Sequence, residues 1–406
     1  MRLLFVHQGF PAQFQHVIAG LLARGHKVHG IGAGEPPWVP YGCRYHAYSP
    51  PDPAELPQGL SDPGLELSLI RAERVASLGA RLAAAGIDPQ VIVFHSAWGE
   101  GLYLRNVWPQ ARLIVYPELF GIPSLLDNGD PDAPPLSIER LHLLERNNFL
   151  SLSALAAADG VLIPTVFQRD TFPAPWRGRF QVIHEGVDIE RIRPDPARRI
   201  RLSPELELGS DDLVLTFVSR TLEPLRGFCR FMAVLPGLLA AHPRLRVVIA
   251  GANGHCYSPP SPHPGGYLAA MQERHAGQLD PERVHVLGFL GRDQLTALLQ
   301  VSTVHAYLSY PYILSWSLLE AMACGTVVVA SDTAPVRELI QHGVNGWLVP
   351  LDQTDAIEAG IDAVLRDPVA HAPLGIAARD TVVHRFDRRR CVEALCTWVS
   401  SLAMLP

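Results

Sequence analysis

The sequence predicts an α/β protein made of two doubly wound domains in tandem. Short apolar runs alternate with amphipathic helical stretches through most of the 406 residues. The runs are apolar throughout instead of alternating with polar residues, which marks parallel strands covered by helices on both faces. The alternation halts at a segment rich in Arg, Pro and acids and then starts again, and the chain is too long for one ordinary core.

The first series opens with LLFV (3–6), followed by a helix that carries Phe14, Val17, Ile18, Leu21 and Leu22 on one face and is closed by Gly25. VIVF (91–94), LIVY (113–116), VLI (161–163) and QVI (181–183) follow, with helical stretches around 65–85 and 137–158. The segment RIRPDPARRIRLSPELELGSDD (191–212) has no long apolar run and reads as a linker or domain edge. The second series is LVLTFVS (213–219), LRVVIAG (245–251), RVHVLG (283–288), VHAYLS (304–309), TVVVAS (326–331) and GWLV (346–349). We therefore expect domains at 1–190 and 191–385. The closing stretch FDRRRCVEALCTWVSSLA (386–403) reads as a helix with Val392, Leu395, Val399 and Leu402 on one stripe.

Composition excludes several classes. A net charge of −6 gives no reason to expect nucleic acid, and the short basic clusters RRIR (198–201) and RRR (388–390) read as solvated faces. The six cysteines show neither a C-x-x-C pair nor zinc-ligand spacing, which suits reduced thiols in a cytoplasmic protein. LLFV is far shorter than a signal-peptide core. No apolar run approaches the roughly 20 residues needed to span a bilayer, so membrane contact, if any, is expected to be peripheral.

Open parallel sheets bind ligands at the carboxyl ends of their strands, which directs attention to the loops after Val6, Phe94, Tyr116, Ser219, Gly251 and Ser309. The G-x-G-x-x-G turn of a dinucleotide site is absent, since the relevant loops read HQGFPAQF and GANGHC, and there is no P-loop lysine motif. The stretch SYPYILSWSLLEAMACG (309–325) is more informative. Pro311 to Ser315 lead into a helix over roughly 317–324 with Gly325 as its stop, and the first turn of such a helix suits a phosphate. Glu320 lies one turn further on, among Leu318, Leu319, Ala321 and Met322. It is either an acid facing solvent or a positioned acceptor for vicinal hydroxyls, as on a ribose. In the first loop, Gly9 lets the backbone approach a phosphate or sugar closely.

At these residues the chain resembles the family-4 retaining glycosyltransferases, which have the GT-B architecture of two Rossmann-like domains facing across a cleft. The resemblance is strongest in LLEAMACGTVVVASDTAPVRELIQHGVNGWLV (318–349), with support from SRTLEPLRGF (219–228), VIHEGVD (182–188) and HQGFPAQFQHVIAGLLARGH (7–26). It implies that Glu320 binds the donor ribose. It also implies that Arg220 and Arg226 hold the diphosphate and stabilise it as it leaves, although one extra residue separates them compared with the commonest motif. Tyr312 stands where the family usually has a second glutamate that contacts the donor sugar. Ile313, Leu314, Ser315 and Trp316 form the adjoining helix entry, and Tyr312 to Trp316 belong to the expected substrate-binding set. His95 and Glu118 fall where members place polar residues near the reacting centre, in the domain that takes the acceptor.

The resemblance further implies a UDP or GDP sugar as donor and a small-molecule, glycan or lipid-linked acceptor. No metal and no cofactor beyond the donor are expected, and the terminal helix 386–406 is expected to cross back onto the first domain. Non-catalytic sugar-nucleotide binding, and an epimerase or phosphorylase of the same architecture, are the alternatives. The proline-rich GHCYSPPSPHPGG (254–266) reads as a specificity loop or an exposed insertion.

Overall fold

A computed structural model describes residues 1–60, 62–126, 135–204 and 206–404. Contacts divide the chain into two units: Met1–Pro123, Leu136–Gly186 and Arg388–Pro406 form one, Ser124–Pro135 and Val187–Asp387 the other.

The first unit holds seven strands: β1 (Arg2–Val6), β2 (Lys27–Ala33), β3 (Arg44–Tyr48), β4 (Val91–His95), β5 (Arg112–Tyr116), β6 (Gly160–Ile163) and β7 (Phe180–Val182). All pair in parallel, in the order β3-β2-β1-β4-β5-β6-β7. The order reverses direction between β1 and β4, so this is the switch point at which such sheets bind ligands. Alternate residues of the central strands enter two separate cores: Leu4, Val6, Ile92 and Phe94 on one face, Leu3, Phe5, Val91 and Val93 on the other. β2 and β3 escape the apolar-run criterion because they read KVHGIGA and RYHAY. The glycines of β2 have a packing reason: a Cβ at Gly30 would lie 2.4 Å from Phe10 Cζ, so that ring occupies the space.

The helix Arg388–Leu402 places Leu395, Cys396, Val399 and Leu402 in the same core as Leu3, Phe5, Ile18 and Leu21. It lies close against the helix Gln15–Ala23, where a Cβ at Gly20 would meet Val392 Cγ1 at 2.5 Å. Leu405 and Pro406, at the end of the expected 386–406 helix, lie outside the described residues.

The segment 191–212, which reads as a linker or domain edge, contains regular structure of its own. It carries an antiparallel pair, β8 (Arg199–Arg201) and β9 (Glu207–Gly209), whose Leu208 is buried among Val248, Leu298 and Val301. Each strand is three residues long and offers only one apolar side chain to the core, too little for a visible pattern.

The second sheet is β10 (Val214–Thr221), β11 (Arg246–Ala252), β12 (Val284–Val286), β13 (Val304–Tyr307), β14 (Val327–Ser331) and β15 (Trp347–Val349). These are parallel, in the order β12-β11-β10-β13-β14-β15, with the switch point between β10 and β13. One face packs on the helix Phe228–Ala241 through Phe217, Phe231 and Leu235, the other on the helix Trp316–Ala323 through Val328, Leu318 and Met322. Full burial of each such side chain is worth about 1.5–3 kcal/mol.

Candidate active site

The helix Trp316–Ala323 is fixed at both ends by local chemistry. Ser315 is its N-cap: its Oγ accepts the Ser317 N–H at 3.3 Å, and its own N–H donates to Tyr307 Oη at 2.9 Å, tying the cap to β13. At the other end Gly325 adopts φ +74°. Its N–H donates to Met322 O and the Thr326 N–H to Ala321 O, which is a Schellman closure. With Leu318, Leu319, Ala321 and Met322 buried, the facing of Glu320 is determined.

That facing is not toward open solvent. The Glu320 side chain is only 12% exposed, and desolvation pushes its pKa above the ordinary glutamate value. Arg292, with Nη1 3.9 Å from Oε1, pulls in the opposite direction. Glu320 lines a pocket of about 350 Å³ together with the ends of β10 and β11, the stretch 289–292 and Ser315, Trp316 and Ser317. The pocket sits at the carboxyl ends of the strands beside the switch point, as expected for this fold. Arg220 stands on its wall, exposed, with neither an ion pair nor a hydrogen bond from its guanidinium to the described residues. Trp316 is 41% exposed and faces the Arg292 guanidinium, 5.7 Å from the ring centroid.

The remaining donor-side residues form a second group beside the pocket, outside its lining. Arg226 is buried, and its Nη1 donates to Ile313 O at 3.0 Å. Its guanidinium lies over two adjacent aromatic rings, 5.2 Å from Tyr257 and 5.5 Å from Tyr312. Leu314 turns into the core of the second unit. Sequence reasoning thus brought Arg220, Ser315, Trp316 and Glu320 to one pocket, whereas Arg226, Tyr312 and Ile313 meet each other instead.

It missed Glu223. This carboxylate is fully buried: Oε2 accepts the N–H groups of Cys256, Tyr257 and Ser258, each at 2.9 Å, and Oε1 accepts the Thr221 hydroxyl at 2.7 Å. The one available signal was an acid inside the motif SRTLEPLRGF, three residues after Arg220.

In the first unit, Gly9 follows β1 and His95 ends β4, on either side of that sheet's switch point. Gly9 is exposed, and a Cβ there would meet only the His7 ring, at 3.8 Å or more, so the fold itself does not demand glycine. His95 is buried and stacks on Trp98 at 4.5 Å. Its Nδ1 accepts the Ala97 N–H, while Nε2 makes no hydrogen bond with the described residues and lies 3.6 Å from Glu118 Oε2. Glu118 adopts φ +56°, an uncommon conformation for a residue with a side chain, and Gln168 Nε2 donates to its carbonyl at 2.7 Å. Sequence reasoning also missed two buried neighbours. Burial, then the nearby His95, lowers the His7 pKa to about 3, and burial raises that of Glu100, whose Oε1 accepts the Tyr48 hydroxyl. Among the described residues, no three His, Cys, Asp or Glu side chains gather as a metal ion would require.

Residues 24–192 match the family described as glycosyl transferase family 4 group, and residues 199–381 match glycosyl transferases group 1. The phosphatidyl-myo-inositol mannosyltransferase of Mycolicibacterium smegmatis is 30% identical over 283 residues, which is 61% of this chain and 67% of that protein. The D-inositol 3-phosphate glycosyltransferase of Mycobacterium marinum is 29% identical over 59% of this chain; the match spans about half of that relative, 47% of its length. Among solved structures, sucrose-phosphate synthase from Thermosynechococcus elongatus superposes with a TM-score of 0.77 over 99% of both chains at 17% identity. Anabaena HepE, solved in complex with UDP and glucose, gives 0.70 over 99% of this chain and all of that one, also at 17%. The fold is GT-B, and the chain belongs to the group 1, family-4 glycosyltransferases.

Proposed function

We propose that this protein moves a hexose from a nucleoside diphosphate sugar to an acceptor hydroxyl with retention of anomeric configuration, using neither a metal ion nor a cofactor beyond the donor. The observation that carries the reading is the joint presence, in one pocket, of the buried Glu320, the unpaired Arg220 and the capped helix start at Ser315. A carboxylate held this way accepts hydrogen bonds from two ribose hydroxyls. The helix start and Arg220 face the diphosphate, and Arg226 supports it from the neighbouring loop. As the bond from the anomeric carbon breaks, its electron pair stays on the diphosphate. The acceptor oxygen bonds to that carbon and passes its proton to the departing diphosphate oxygen. Preorganised positive groups aimed at the leaving oxygens are the main source of rate.

In the first unit, Gly9, His95 and Glu118 are the residues proposed to serve the acceptor and the reacting sugar. His95 Nε2 supports this, because a buried polar atom with no hydrogen bond to the described residues is expensive unless a ligand supplies one. HepE was solved with UDP-glucose, and a mannosyltransferase is among the relatives, so UDP and GDP sugars are the donors to test. The inositol lipid in that relative's name supports a lipid-linked acceptor beside small-molecule and glycan ones. No helix among the described residues is long and apolar enough to cross a membrane. The proposed location is cytoplasmic, with peripheral contact at the inner membrane face through the basic clusters near 198–201 and 388–390.

Tyr312, in place of a second acid, favours one competing reading, a non-catalytic sugar-nucleotide binder. Incubation with UDP- and GDP-hexoses and a panel of acceptors separates the possibilities by product. Free nucleoside diphosphate with a new glycoside of the donor's anomeric configuration is expected. Binding without turnover for every acceptor leaves the binder, and an altered sugar still attached to its nucleotide marks an epimerase.

A further inference from the structure

The loop 254–266 is neither a free insertion nor merely a cover. Glu223, from the loop after β10, holds three successive backbone N–H groups of Cys256, Tyr257 and Ser258 on one carboxylate oxygen. The attachment is reciprocal, since Ser258 Oγ accepts the Leu225 N–H at 2.9 Å. Glu223 is fully buried and Ser258 nearly so, which shields both links from water. Hydrogen bonds to an ionised acceptor are the strong ones, so this is a firm tether between two loops that are more than 30 residues apart in sequence.

The tether delivers one side chain to a particular place. Tyr257 packs against Tyr312 with ring centroids 4.7 Å apart, and the Arg226 guanidinium lies over both rings. Arg226 Nη1 is committed to Ile313 O and reaches Ser309 Oγ at 3.4 Å, while Nε and Nη2 make no hydrogen bond with the described residues. The Nε and Nη2 edge is the planar fork that matches two phosphate oxygens. Packed against two adjoining rings and pinned at its third nitrogen, this fork keeps one orientation with no acidic partner to neutralise it.

We propose that Tyr257 is a positioning residue for the diphosphate: clamped in place by Glu223, it fixes the plane of Arg226 so that the free edge of the guanidinium meets the phosphates as a preformed fork. The inference rests on the reading of Arg226 as a diphosphate ligand, and it explains how a site with Tyr312 in place of an acid keeps its arginine ordered. The aromatic face does the positioning; the phenol hydroxyl does not enter.

The test is calorimetric titration of the full-length protein with UDP and GDP, and with uridine and guanosine as phosphate-free controls. Tyr257→Phe should bind whichever diphosphate the wild type prefers within about twofold of wild type. Tyr257→Leu should weaken it by about fivefold to tenfold, leave the matching nucleoside unchanged, and cost nothing further in an Arg226→Ala background. Glu223→Gln, which turns an amide NH₂ toward either the three N–H groups or the Thr221 hydroxyl, should reproduce the Tyr257→Leu loss. Wild-type-like diphosphate binding by Tyr257→Leu, or an equal loss with Arg226 already removed, overturns this inference alone. A wild type that binds neither diphosphate overturns the donor reading and this inference with it.

Discussion

Glu320 is a carboxyl group held where its charge is disfavoured, and the consequences can be measured. Burial is the largest influence on its pKa and raises it, with Arg292 only partly opposing. A folded-state pKa above the unfolded value means that the folded protein holds the extra proton, so stability is greatest at low pH and falls as pH rises through that folded pKa. Glu320→Gln removes the penalty. It should raise the melting temperature near pH 7.5 by about 2–4 °C per kcal/mol relieved, and should weaken donor binding about tenfold or more. A lower melting temperature with unchanged affinity would make Glu320 an ordinary helix acid. The arginines make a different demand. If Arg220 and Arg226 meet charge that grows in the transition state, their loss should reduce turnover at saturating donor more than it reduces donor affinity, by roughly a hundredfold for Arg220→Ala. Arg226→Lys should be milder than Arg226→Ala because charge is kept while the fork is lost. Normal turnover at saturation in both alanine variants would make these groups uniform binders. Glu320 was legible in the sequence because an acid inside an apolar helical run breaks a local rule. Glu223 was not, because all three of its backbone donors lie in another loop, at positions 256–258.

At the scale of elements, the site depends on how tightly the loops after β10 and β13 approach each other. Gly227, between Arg226 and the helix Phe228–Ala241, adopts φ +75°, and a Cβ there would lie 2.0 Å from Leu308 O. The obstacle is backbone, so it cannot swing aside. The left-handed conformation alone costs a non-glycine residue about 1–2 kcal/mol, and the clash adds displacement of the loop that carries Arg226. Gly227→Ala should therefore lower the melting temperature by several degrees and weaken nucleoside diphosphate binding. Gly178→Ala, where a Cβ meets nothing within 4 Å, should do neither. Equal behaviour of the two variants would mean that the loops are not in register as described. The same dependence on partners explains which elements the sequence concealed. β10 opens with the largely apolar VLTFV and β14 with VVVA, and both declare themselves. β2 needs Phe10 to fill the space over its glycines, and β8 and β9 need the helix Arg292–Val301 to give their single apolar residues a core.

At the scale of the whole chain, the two doubly wound sheets were legible because fully buried parallel strands repeat one pattern, and the restart after residue 212 announced the second. The closing helix is the place where chain order and spatial grouping part. Arg388–Pro406 follows the second unit in sequence yet belongs to the first. Its buried stripe of Leu395, Cys396, Val399 and Leu402 shares a core with β1 and the helix Gln15–Ala23. Each large apolar side chain stripped from that core costs about 1.5–3 kcal/mol, so losing the stripe together is of the same order as the whole stability of a typical domain. Deleting 388–406 should therefore leave the second unit folded and strip the first of the covering on one face of its sheet. Calorimetry distinguishes the units by ligand: the transition that shifts upward with UDP or GDP reports the unit that holds Glu320, by linkage to the bound state. After truncation that transition should stay within a few degrees of its original position and still respond to nucleotide. The other transition should fall sharply or vanish, with new exposed apolar surface that binds a hydrophobic dye. If the truncated protein instead shows both transitions unchanged, the terminal helix contributes no stability to the first unit, and its packing on Gln15–Ala23 has no energetic consequence.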